Sequence, residues 1–131
     1  MTLKELIDSV SRLKTWKVVS EQGSPGFDVP QAAGRKQFVS VVEFKDEAQP
    51  MVRFTTRIGP ADRLEPTRLR SALELNLRLP HGCLAIDGGH LVMTATRFLQ
   101  IATADTTAGA VEFIARQADQ YEKLIYKTDV H

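Results

Sequence analysis

Apolar residues recur at helical spacing from the start of the chain. Leu3, Leu6, Ile7, Val10 and Leu13 fall on one stripe, with Lys4, Glu5, Asp8, Ser11, Arg12 and Lys14 opposite them. Thr2 and Glu5 have capping-box spacing, so the helix can begin almost at the first residue. The period then changes. Residues 16–20 read as a strand leading into a turn over 22–26, where Gly and Pro cluster, and Phe27, Asp28 and Val29 continue or flank it. Residues 31–36 are loop-like. The most strand-like segment is 38–44, whose alternation separates Phe38, Val42 and Phe44 from Val39, Val41 and Glu43. After a turn over 46–50, residues 51–58 place Val52, Phe54 and Ile58 on one face and Arg53, Thr55 and Arg57 on the other. Together these strands read as a three-stranded antiparallel meander.

Pro66 suits the first turn of a helix, and Leu69, Ala72, Leu73 and Asn76 follow at helical spacing. The pattern predicts a helix over 66–79 that stops before Pro80. Leu75, Leu77 and Leu79 widen its apolar surface beyond one stripe, which implies a second buried contact, with another layer or another subunit. Gly88-Gly89 between two apolar runs predicts a tight hairpin that pairs Asp87 with His90, Ile86 with Leu91, Leu84 with Met93 and Cys83 with Thr94. Val111, Ile114, Ala118, Tyr121 and Ile125 mark a last helix of about twenty residues, capped near Thr106 or Thr107. The order α-β-β-β-α-β-β-α predicts an α+β fold, with helices packed on one antiparallel sheet in a single domain over 1–131.

Composition narrows the class without naming a chemistry. The 131 residues are 43% hydrophobic and 25% charged, with a net charge of +1. Folding buries roughly two-thirds of the surface of a chain this size, enough for one core without staples. One cysteine, Cys83, excludes an internal disulfide framework and fits a reducing compartment. The N-terminus mixes acids with its apolar residues, unlike a signal peptide, and no apolar run approaches the ~20 residues of a membrane span. The expected setting is the cytoplasm, away from any membrane.

Candidate chemistry is sparse. His81, Cys83, Asp87 and His90 lie within ten residues of one another, but the hairpin register holds Cys83 and His90 roughly 13 Å apart along the strands. A zinc ion needs its ligands within about 2.3 Å, so these residues form no single site. His81 and Cys83 stand roughly 6–7 Å apart along a strand, and nothing beside Cys83 in sequence lowers a thiol pKa. Gly88-Gly89 lacks the spacing of a phosphate loop, and no serine occupies a nucleophile elbow. No metal, cofactor or catalytic residue is expected. Charge is uneven, however: residues 53–78 hold six arginines against Asp62, Glu65 and Glu74. Arginine forks suit carboxylates and phosphates, and Arg53 and Arg57 are expected beside Val39 and Val41 on the sheet face away from Phe54. A nucleic-acid reader adds a basic domain and exposed aromatics, which this chain does not offer, so nucleic acid is disfavoured.

The order of elements resembles the type III secretion chaperone-like fold, which includes the YbjN-like proteins. The local resemblance is strongest over 69–93, where Leu73-Glu74-Leu75-Asn76 leads into Gly82-Cys83-Leu84-Ala85-Ile86-Asp87, and it returns at Ala115-Arg116-Gln117-Ala118-Asp119. The resemblance implies a small homodimer without cofactor that holds another polypeptide on its sheet and helix surfaces. Dedicated secretion chaperones are clearly acidic; a charge of +1 points instead to a stand-alone YbjN-like protein. The expected function is therefore a non-enzymatic protein-binding module, chaperone-like or regulatory, with Val39, Val41, Arg53, Arg57, Leu75 and Leu79 at the partner surface. The alternative is a small-ligand binder or enzyme with a pocket between sheet and last helix, lined by Phe38, Phe54 and Tyr121.

Overall fold

The computed structural model describes residues 1–127. The elements are α1 (Leu3–Lys14), β1 (Lys17–Glu21), β2 (Ser24–Pro30), β3 (Lys36–Asp46), β4 (Gln49–Pro60), α2 (Pro66–Leu75), β5 (Cys83–Asp87), β6 (His90–Phe98) and α3 (Ala104–Tyr121). This is the expected α+β arrangement of helices on one antiparallel sheet. The sheet has six strands in the order β1-β2-β3-β4-β6-β5. The segment around Phe27 forms a strand of its own, because Gln22 and Gly23, both at positive φ, close a two-residue turn that pairs Glu21 with Ser24. Pro25 and Gly26, read as part of the turn, lie inside β2.

One face of the sheet carries the core. Phe27, Val29, Val39, Val41, Val52 and Phe54 are buried there with Leu91 and Met93, beneath α1 and α3. The N-terminal helix is fixed as its sequence predicts: Thr2 and Glu5 cap each other reciprocally, and Leu6, Ile7 and Val10 are buried. The hairpin register of β5 and β6 is the predicted one, residue for residue. The last helix is capped one turn earlier than expected, by Thr103, whose hydroxyl accepts from the Thr106 N–H.

Two expectations need correction. Val39 and Val41 do not share a face with Arg53 and Arg57. Val41 pairs directly with Phe54, and cross-strand partners stand on the same face, so both valines are core residues at 0% and 1% exposure. The second helix ends at Leu75 rather than Leu79. Beyond it the backbone tightens into turns closed by Leu77 N–H to Glu74 O and Arg78 N–H to Leu75 O. The Asn76 amide then accepts from the Leu84 N–H at 2.6 Å and donates to the Leu84 carbonyl at 3.1 Å. It thereby acts as a one-residue strand against β5 and pulls the chain out of the helix.

Candidate partner-binding surfaces

Among the described residues no helix lies over the face of the sheet opposite the core. Its central row runs through Ser40, Thr55 and Thr94, and the hydroxyls are spent within the sheet. Ser40 donates to the Thr55 carbonyl and Thr94 to the Phe54 carbonyl, which leaves Thr55 to donate to Thr94 at 3.1 Å. On either side of this row stand Arg53 and Arg57, separated by four positions of β4. The Arg53 guanidinium lies 4.3 Å above the Phe44 ring, and its Nε donates to Thr96 Oγ1 at 3.2 Å. The Arg57 side chain is exposed and makes no ion pair or hydrogen bond among the described residues, while its backbone carbonyl accepts from Gln37 Nε2 at 2.8 Å. The β1–β2 turn and the tip of the β5–β6 hairpin rise at the margins, so Gln22 and Asp87 flank a cleft of about 260 Å³. Val92 is 2% exposed at its base, and Val42 and Phe98 expose apolar surface nearby.

A second surface surrounds α2. This helix has no buried residue, and its N-cap Glu65 makes no side-chain cap. Between α2 and the edge strand β5 lies an apolar groove of about 200 Å³, lined by Leu69, Leu73, Leu84, Ile86 and Leu91. On its other flank, toward the end of α3, a second groove of about 290 Å³ is lined by Leu75, Tyr121, Leu124 and Ile125. Burial raises the Tyr121 phenol above its ordinary pKa, so the phenol itself is neutral at neutral pH, while Arg68 lines the same groove. Leu73 and Leu77 stand at 69% and 92% exposure on the helix and its following turn.

These two surfaces sort the expected site residues. Arg53 and Arg57 share the open face, Leu75 lines the groove beside α3, and Leu79 is half-buried against the core beyond the helix end. Val39 and Val41 belong to neither surface. Leu73, Ile86 and Leu124 are not among the residues expected at the partner surface, whereas Leu77 is expected only as part of a second buried contact with another layer or subunit. For Leu73 and Leu77 the signal was present, since apolar side chains occur there on several sides of a ten-residue helix. Phe38, Phe54 and Tyr121 do not converge on one pocket: Phe54 is core, Phe38 faces the open side, and Tyr121 borders α2. His81 meets Phe113 edge-on at 5.3 Å. Among the described residues no three His, Cys, Asp or Glu side chains are placed as ligands for one ion. What this arrangement can do is desolvate apolar side chains around α2 and pair acidic groups on the open sheet.

Neither a protein-family model nor a curated protein matches the chain. In three dimensions it is similar to a chain in the structure of the HopA1–SchA chaperone–effector complex. The two superpose with a TM-score of 0.62 over 92% of each chain, at 13% sequence identity. The chain thus shares the fold of a chain found in a chaperone–effector complex. No helix among the described residues is long and apolar enough to cross a membrane.

Proposed function

We propose that the chain is a non-enzymatic protein-binding module, chaperone-like or regulatory, which works as a homodimer joined around α2 and holds a partner polypeptide on the open sheet. The observation that carries this reading is α2 itself: a helix with no buried residue, flanked by two apolar grooves and displaying Leu73, with Leu77 exposed on the turn that follows. Contiguous exposed apolar surface of this kind marks interaction sites. Each leucine withdrawn from water contributes ~1.5–3 kcal/mol, so a two-fold pairing that buries these side chains from both copies has a clear driving force. The fold shared with a chain of a chaperone–effector complex supports the same class of role. Near-neutral charge favours the YbjN-like branch of the resemblance over an acidic secretion chaperone, and a lone Cys83 suits the cytoplasm.

Native mass spectrometry of protein gently purified from its source tests the reading. The expected species is a dimer, bare or carrying another polypeptide. Leu73→Lys with Leu77→Lys is expected to give a folded monomer. A wild-type monomer holding a small molecule would overturn the reading and redirect the search toward a ligand or a reaction.

A further inference from the structure

The geometry of the open face points to the chemistry of its occupant: we infer that the partner segment taken there is extended and acidic, with carboxylates that meet Arg53 and Arg57. This inference rests on the protein-binding reading and gives it a charge. Arg53 is held by Phe44 and Thr96 through its Nε and the face of its guanidinium, which leaves its two terminal nitrogens to donate outward. Arg57 has no carboxylate within ion-pairing distance among the described residues. Asp87 is the one carboxylate lining the cleft, so the lining carries two cations and one anion. By strand register Glu21, Asp28 and Asp46 share this face, but Glu21 and Asp28 lie out on β1 and β2, Asp46 stands at the far end of β3, and Asp28 already sits 3.7 Å from Lys36. The serine and threonine hydroxyls between the arginines are engaged within the sheet and do not compete for an incoming acid.

The spacing of the two arginines matches an extended peptide that carries acids four positions apart. Four positions along β4 separate their Cα atoms by roughly 13 Å, about the span of four residues of extended chain. Val42 and Phe98, exposed on the same face, add apolar contact of the kind a polypeptide makes between its charged groups. A planar carboxylate matches a guanidinium fork with two parallel hydrogen bonds, and the pairing is charge-assisted.

Fluorescence anisotropy with synthetic peptides tests this. The probes are Val/Thr-rich nonapeptides with Glu at two positions four residues apart, the same peptides with Gln, and a single-stranded oligonucleotide. The Glu peptide is expected to bind about tenfold or more tightly than the Gln peptide, with affinity falling as salt rises. Arg53→Gln and Arg57→Gln are each expected to weaken it several-fold and the double variant to erase the Glu preference, with circular dichroism unchanged. No binding of the Glu peptide, equal binding of the two peptides, an unaffected double variant, or tighter binding of the oligonucleotide would each overturn the inference. Failure of the protein-binding reading is distinct, because it reads out as a ligand-bearing monomer in the native mass spectrum.

Discussion

Arg35 grips Asp119 with two hydrogen bonds, Nε to Oδ1 at 3.2 Å and Nη2 to Oδ2 at 2.8 Å, across 84 residues of sequence. The pair ties the β2–β3 connection to the last turns of α3, and Lys123 adds a contact at 3.6 Å to the same carboxylate. The Arg35 hydrogen bonds, with the charges of Arg35 and Lys123, hold the Asp119 carboxyl below its ordinary pKa against the opposing effect of burial. A carboxyl whose pKa is lower in the folded chain stabilises that state above its unfolded value. The stabilisation fades as pH drops through the lowered, folded value. Asp119→Asn is therefore expected to lose about 1 kcal/mol at neutral pH, less than a fully buried charged hydrogen bond contributes because Arg35 is partly solvated. It should also flatten the decline in stability on acidification. Urea denaturation from neutral pH down through the carboxylate range checks both, and an unchanged acid slope would remove Asp119 as a cause.

The face assignment of β3 has its own test in two adjacent valines. Val41 is buried beside Phe54, whereas Val42 is exposed on the Arg53 side. Val41→Thr keeps the shape but buries a hydroxyl in the core, and it is expected to cost about 1–3 kcal/mol. Val42→Thr is expected to stay within about 0.5 kcal/mol of the wild type. Chemical denaturation of the two variants side by side shows which face is covered.

The inner face of β3 is not marked by its own pattern. Alternation within β3 was legible, since Phe38, Val42 and Phe44 do separate from Val39 and Val41. Both sides of the strand are apolar, however, so pattern alone cannot choose the inner one; register must. Register here is set by the two-residue turn Glu47-Ala48, which joins Asp46 to Gln49 with both turn residues at positive φ. Such a conformation favours Gly or Asn, and neither is present to announce it. Where the sequence does carry that signal, at Gly88-Gly89, the predicted register and the observed one agree. The arginines of the candidate site were legible because polar residues alternate cleanly with core residues along β4. The exact end of α2 was not, because it depends on a hydrogen bond that the Asn76 side chain accepts from the Leu84 N–H, eight residues away.

That bond makes a separable prediction. Leu84 is buried, so Asn76→Ala leaves its N–H and carbonyl without their partner, at a cost of about 1–3 kcal/mol. No residue of α2 is buried, so the loss should fall on this helix and the edge strand rather than on the core. Hydrogen exchange is expected to quicken in α2 and β5 while β3 and β4 keep their protection. Uniform loss of protection across the sheet would show instead that α2 is part of the cooperative core.

Tyr126 closes the other end of the sheet, and its fit depends on a missing side chain. Its hydroxyl donates to the Pro60 carbonyl at 2.8 Å, and the Arg63 guanidinium lies 5.8 Å from its ring. The ring passes directly over Gly59, where a β-carbon would fall 2.5–2.9 Å from three ring carbons. Gly59 follows the point where the β4–β6 register shifts, with Ile58 as the extra residue. The constraint is therefore steric and local, and it does not come from backbone conformation, since Gly59 is not among the glycines at positive φ. Gly59→Ala is expected to cost about 1–3 kcal/mol, as overpacking does in a close-packed region. Tyr126→Ala removes the ring and should itself destabilise the chain, but in that background Gly59→Ala should cost far less. A double-mutant cycle by denaturant titration reads the difference as a coupling energy. Coupling near zero would mean that the clash is relieved by a small backbone shift, and that the last described turn, Glu122–Lys127, is held by the Pro60 hydrogen bond rather than by the fit of the ring on glycine.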